Sequence, residues 1–224
     1  ACSKIDDYFL GKDNLLIPHD LPPVTAPHPV TFQPLWKVPL KGHFSGDKLI
    51  PAVRSGLVYL ASSEGQLQAY DLKTGELRWQ QSGLSGFVRG PIIGKAILAL
   101  GTRRSSVVVV SRKTGALVWE KKLSSPLLSS PLLAGDKVIT KTIDGRVTAF
   151  NMADGKMRLQ VPPHSVPELM LKASASPVML NSQQILIGLA EGKLEAIDVN
   201  TGQVMWDKTV LSANGASEVE RVVD

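Results

Sequence analysis

One phrase of this chain comes back at a fixed beat. "AYDLKTGELRW" (69–79) recurs as "VVSRKTGALVW" (109–119), "AFNMADGKMRL" (149–159) and "AIDVNTGQVMW" (196–206). Gly75, Gly115, Gly155 and Gly202 stand 40, 40 and 47 residues apart, and Trp79, Trp119, Leu159 and Trp206 keep the same spacing. Pro51, Pro91, Pro131 and Pro177 follow at 40, 40 and 46. Three markers in phase over four copies define a repeat protein, in which each unit buries its apolar faces only against its neighbours.

Each unit reads as four short β-runs. In the second copy these are "GPII", "AILALG", "SVVVVS" and "ALVWEKK", parted by Gly and a "KTG" turn, and no helical period is sustained anywhere. Four strands per roughly 40 residues predict the blade of an all-β propeller. The turn has a local cause. Asp71, Asn151 and Asp198 are placed to accept backbone N–H groups just after them, Ser111 more weakly, and Gly75 supplies a positive φ. The tryptophan that follows lies on the outermost strand, where its indole packs between blades and its N–H meets a backbone carbonyl. Leu159 keeps the apolar contact and loses the donor.

Trp36, in "PLWKVPL", has the same look without a blade before it, and reads as an outer strand that closes the ring onto the last blade. The expected organisation is a tether over 1–35, then blades over 36–224: that orphan strand, four complete blades near 45–81, 86–122, 126–161 and 172–209, and an acidic connector. Tryptophan-docked rings usually need six to eight blades. The chain is therefore expected to be the N-terminal half of an eight-bladed ring, a closed four-bladed ring being the alternative.

Hydrophobic residues make up 43% of the chain and charged residues 20%, a globular composition. The formal charge of +5 comes with no block of basic residues, so nucleic acid is not expected as a partner; Arg103-Arg104 and Lys121-Lys122 read as solvated edges. The four histidines, His19, His28, His43 and His164, have no ligand spacing, and no metal or cofactor is expected. A single cysteine, Cys2, forbids an internal disulfide. "ACSK" looks like the end of a bacterial lipoprotein signal, with Cys2 as the lipidated residue, the alternative being an incidental thiol. Residues 14–35 are Pro-rich and read as an extended tether.

"A-x-D-x-x-T-G-x-x-x-W" resembles the docking motif of pyrroloquinoline-quinone-type propellers, shared by quinoprotein dehydrogenases and by BamB-like scaffolds. The dehydrogenases hold their quinone with a vicinal disulfide and calcium, and one cysteine excludes the first. "CSKIDDYFLGKDN" (2–14) and "SEVERVVD" (217–224) are similar to the N-terminus and acidic connector of the BamB family, so the resemblance spans essentially the whole chain. It implies a non-enzymatic scaffold of the outer-membrane β-barrel assembly (BAM) complex. Such a scaffold is lipid-anchored at the periplasmic face of the outer membrane, binds the POTRA domains of BamA, and meets other BAM subunits only through it.

The family's docking residues are a Leu-x-Leu-Arg motif before the fourth blade and aspartates closing the connector. Carried over, they fall on Leu169, Leu171, Lys172 (where the family has Arg) and Asp224. The residues alone agree on one point. The surplus length of the third interval falls in "VPPHSVPELMLKASAS", which must protrude as a loop, its leucines either gripping a partner or folding back onto the ring. Contact with nascent outer-membrane proteins through an exposed blade edge is physically allowed, but nothing in the sequence selects it. The other readings are a different envelope-anchored propeller, such as a sensor or secretion-apparatus subunit, and, remotely, a quinone-dependent dehydrogenase.

Overall fold

The computed structural model describes residues 33–40, 49–162, 176–189 and 193–210. The chain divides into two units, Ala1–Pro34 and Leu35–Asp224. The described residues of the second form four antiparallel sheets of four strands, each joined in simple sequential order. The first sheet holds β1 (Ala52–Arg54), β2 (Leu57–Ala61), β3 (Leu67–Asp71) and β4 (Leu77–Gln81). The second holds β5 (Phe87–Ile93), β6 (Ile97–Thr102), β7 (Ser106–Ser111) and β8 (Leu117–Lys122). The third holds β9 (Leu132–Ala134), β10 (Lys137–Lys141), β11 (Val147–Asn151) and β12 (Met157–Val161). The fourth holds β13 (Val178–Met179), β14 (Gln184–Gly188), β15 (Lys193–Asp198) and β16 (Val204–Thr209). These are the four blades that the repeat predicts. In the second, the first strand starts at Phe87, ahead of the expected "GPII".

A blade stacked on both sides must be apolar on both faces, and the middle strands are. Every residue of β6 is buried, and β7 is an unbroken run of valines between two serines. Alternate residues along β6 and β7 then serve two separate cores. Leu98, Leu100, Val108 and Val110 pack against Tyr59, Ala61, Leu67 and Ala69 of the first blade. Ala99, Val107 and Val109 pack against Val138 and Phe150 of the third. A further core joins Ile139, Val147 and Ala149 to Ile185, Ile187 and Ile197 of the fourth blade.

One irregularity repeats in all four blades. The pairing of third and fourth strands slips by one residue, between Ala69/Tyr70, Val109/Val110, Ala149/Phe150 and Ala196/Ile197. The residue skipped is Arg78, Val118, Arg158 or Met205, directly before the docking position. A bulge there adds twist to the outer strand just where that strand enters the seam.

The meander sorts the loops onto two rims. The first hairpin and the "KTG" turn share one, tied by Leu72 N–H donating to Gly56 O at 2.8 Å. The second hairpin and the connector to the next blade share the other, where Phe87 N–H donates to Ser62 O at 3.2 Å.

Candidate partner-binding site and the seams that position it

The turn forms as its residues dictate. Asp71 Oδ1 accepts from the N–H of Lys73 and Thr74 at 2.9 and 3.1 Å, and Asn151 and Asp198 repeat the pattern with their own followers. Ser111 makes no such side-chain bond among the described residues, and its turn is closed by backbone bonds, from Gly115 N–H to Ser111 O and from Ser111 N–H to Ala116 O, both at 2.8 Å. Arg78 returns from the bulge to donate to Asp71 Oδ2 at 2.7 Å. That bond first, then the two backbone donors, holds the Asp71 carboxyl down at about 2.

The glycine of each turn is fixed twice over. Gly75, Gly115, Gly155 and Gly202 have φ between 68° and 75°, a region L-residues resist. Each also lies under the docking side chain of the preceding unit. A Cβ at Gly115 would stand 2.6 Å from Trp79 Cε3, and one at Gly155 2.7 Å from Trp119 Cδ2. Gly115→Ala is therefore expected to cost more than the ~1 kcal/mol of the backbone effect alone, because the indole must also move. Gly135→Ala, at φ 59° in open space, gives the backbone effect by itself. The difference in denaturant midpoint between the two variants measures the docking contact.

Each indole N–H then reaches a carbonyl of the next unit. Trp79 donates to Arg112 O at 3.1 Å and Trp119 to Met152 O at 2.9 Å. Trp36 donates to Leu72 O at 2.9 Å, its ring over Gly75, so it docks on the first blade as the tryptophan of a preceding blade does. Its segment pairs with no strand among the described residues. Leu159 sits over Gly202 without a donor. The Trp206 indole makes no hydrogen bond among the described residues, and the residue is 39% exposed.

Cations reinforce the seams. Arg54 donates to Ile93 O at 3.2 Å, Arg89 to Leu128 O at 3.1 Å, and Lys141 to Gly188 O at 2.5 Å. Lys141 is the unusual one, being 3% exposed and facing Glu195, itself 8% exposed. Burial pushes its ammonium down to about 8, with the Glu195 charge opposing the shift. The strand registers place Ala61 and Val108 at these two positions in the first seam, and Gly101 and Thr148 in the second. Only the third of these seams carries charge there. Sequence reading missed this pair, although Lys141 and Glu195 are the charged residues that break the apolar runs "VIT" and "AI".

The proposed docking residues Leu169, Leu171, Lys172 and Asp224 lie outside the described residues, as does Cys2. The strands that flank them are described. β12 ends at Val161 and β16 at Thr209, both running toward the connector rim, where Lys141 and Gly188 also end their strands. The charged seam between third and fourth blades thus lies at the rim from which the long connector departs. Among the described residues no group of three or more His, Cys, Asp or Glu is arranged to hold a metal ion, and no helix is long and apolar enough to cross a membrane.

Relatives agree with this architecture. The family model described as "Outer membrane protein assembly factor BamB" matches residues 10–89 and 83–224. The protein of that name from Legionella pneumophila is 36% identical over 227 residues, covering 100% of this chain and 58% of its own length. The one from Burkholderia pseudomallei is 30% identical over 78% of this chain and 45% of its own. The chain thus spans about half the length of the curated relatives it matches. The crystal structure of BamB from Moraxella catarrhalis superposes with a TM-score of 0.70 at 28% identity, over 77% of this chain and 52% of that one. A quinohemoprotein alcohol dehydrogenase from Pseudomonas putida shares the fold alone, at 16% identity and a TM-score of 0.60 over 75% of this chain and 35% of that one. With its docking turns, stacked blades and family match over nearly its whole length, the chain belongs to the BamB family of outer membrane protein assembly factors.

Proposed function

We propose that this chain serves outer-membrane β-barrel assembly as a non-catalytic scaffold that grips the POTRA domains of BamA. The grip is the connector between the third and fourth blades, with Leu169 and Leu171 as apolar anchors, Lys172 as the charged partner and Asp224 on the next connector. Lipid on Cys2 holds the propeller at the periplasmic face of the outer membrane. The observation that carries the reading is the family match across residues 10–89 and 83–224. The surplus residues of the third interval support it, because fixed strand lengths leave them only the rim. A rigid propeller suits this role, because blades locked through indoles and buried cores present connectors at fixed spacing without reorganising on binding.

The test is titration calorimetry of the unlipidated chain against the POTRA domains of BamA from the same organism. Wild type is expected to bind. A Leu169→Ala, Leu171→Ala, Lys172→Glu variant is expected to lose at least 2 kcal/mol, about thirtyfold, the scale of an interface hot spot, with its melting temperature unchanged. A variant that binds like wild type moves the grip elsewhere on the propeller, and absence of wild-type binding overturns the partner.

A further inference from the structure

The rim opposite the connectors carries a feature that partner docking does not use. A groove of about 670 Å³ runs between the first and second blades. Its floor is the half-buried indole of Trp79 with Leu57, and Gly56 leaves one wall low, a Cβ there meeting nothing within 4 Å. Three cations, Lys73, Arg78 and Lys113, line it against a single carboxylate, Asp71. Asp71 engages Arg78 at 2.7 Å, and both ammonium groups make no hydrogen bond or ion pair among the described residues.

The repeat supplies an internal comparison. The positions of Lys73, Arg78 and Lys113 are taken in the second seam by Lys113, Val118 and Ala153, and in the third by Ala153, Arg158 and Asn200. No other of these seams gathers three cations. In the third, moreover, Lys137 is bound to Asp136 and to Asn200 at 3.0 and 2.9 Å. The first groove is thus the one that brings together two lysines whose ammonium groups are uncommitted among the described residues.

A second observation lies behind the same floor. Tyr59 follows Leu57 by two residues on the same face of β2 and packs on Trp79, ring centroids 6.0 Å apart. Its side chain is fully buried, and its hydroxyl is the only buried side-chain N or O atom without a hydrogen-bond partner among the described residues. Buried polar groups are nearly always paired. Arg112, which donates to Ser55 Oγ at 3.4 Å at the edge of the groove, is the charge that phenol feels. That hydroxyl is sealed behind the indole, so it sets this seam apart without itself lining the groove.

We propose that this groove binds a phosphate group, free or carried on a lipid headgroup, with Lys73, Lys113 and Arg78 as donors and Trp79 and Leu57 as its apolar floor. Three cations less one carboxylate leave two positive charges, which match a phosphate dianion better than a single carboxylate. The floor accepts the apolar part of a phosphate ester, and inorganic phosphate engages the donors alone.

The test follows the Trp79 indole N–H of the 224-residue chain by two-dimensional NMR at pH 7. Inorganic phosphate is titrated against chloride at constant ionic strength, and vesicles of phosphatidic acid or phosphatidylcholine are tested by flotation. A saturable shift of the Trp79 signal, with that of Trp206 unmoved, is expected. Lys73→Gln with Lys113→Gln weakens it at least about tenfold, the scale of removing charge-assisted hydrogen bonds. Arg103→Gln with Arg104→Gln removes the same charge from the opposite rim and leaves binding intact. A phosphate shift without preference for phosphatidic acid assigns the free anion as the ligand. Vesicle binding that the lysine pair loses assigns the headgroup. No response to phosphate or to acidic vesicles, or equal weakening by both double variants, overturns the site.

Discussion

Replacing Lys141 with methionine lowers the unfolding free energy by about 3–5 kcal/mol, the cost of removing one member of a buried charged pair. Methionine fills the space of the lysine stem but donates nothing, so the loss is that of the Nζ donor, which the neutral amine keeps above pH 8, and not of its charge. It leaves Gly188 O without its donor and the Glu195 carboxylate, 8% exposed, without the facing lysine, in a seam otherwise built from Ile139, Val147, Ile185 and Ile187. Adding Glu195→Val installs the valine that Val108 supplies at the same position in the first seam. The double variant is expected to return to within about 1 kcal/mol of wild type or to exceed it, because an apolar pair pays no desolvation cost. Chemical denaturation of the four proteins closes a double-mutant cycle. A double variant as unstable as the single one would show that the charged pair holds the seam.

The pair also sets a pH dependence. The folded-state value of Lys141 is about 8, against 10.5 for the free side chain. Between those values the unfolded chain holds a proton that the folded chain has released, so stability rises with pH. The rise is of the order of 3 kcal/mol, and below pH 8 the penalty of the buried ammonium is present in full. Above pH 10 the buried phenols of Tyr59 and Tyr70, both pushed up by burial, act in the opposite sense. The Lys141 contribution is therefore read as the difference between wild type and Lys141→Met, which climbs from pH 8 to 10.5.

Trp119→Ala is expected to cost about 3–5 kcal/mol, and Trp206→Ala under about 1 kcal/mol in the same chain. The two residues occupy the same repeat position, and only their surroundings differ. Trp119 is 7% exposed, donates to Met152 O, covers Gly155 and meets the Phe150 ring at 6.0 Å. Trp206 is 39% exposed and its indole donates to nothing among the described residues. Trp119→Leu, which installs what Leu159 already is in the next blade, falls between, losing the hydrogen bond and part of the buried area. Urea midpoints at constant slope measure all three. Equal losses at Trp119 and Trp206 would mean that the indole stabilises its own blade rather than the seam.

The docking turns were legible because their determinants lie within eleven residues of one another. An acceptor at Asp71, a glycine at Gly75 and an aromatic at Trp79 specify turn, φ and outer strand without reference to anything distant. The indole donor was expected to find a backbone carbonyl, and for Trp36, Trp79 and Trp119 it does. What the spacing did not reveal is that the glycine is held a second time, by the ring arriving from the preceding unit. Nor did it reveal the bulge at Arg78 and its equivalents, since a skipped residue leaves the alternation of its neighbours unchanged. The groove at Lys73, Arg78 and Lys113 was illegible for a simpler reason: its cations come from two repeats and read singly as solvated charges.

The sequence by itself determined the blade, its number of strands, its turns and the device that joins it to the next. These follow from local rules applied four times in phase. Only the tertiary structure decided which polar side chains look at each other. In a sheet buried on both faces the alternation of residues still assigns two sides, but both are apolar, so the pattern does not say which neighbour each side meets. That choice arises when separate blades stack. It brings Lys141 to Glu195 across 54 residues, and Lys73 to Lys113 across 40.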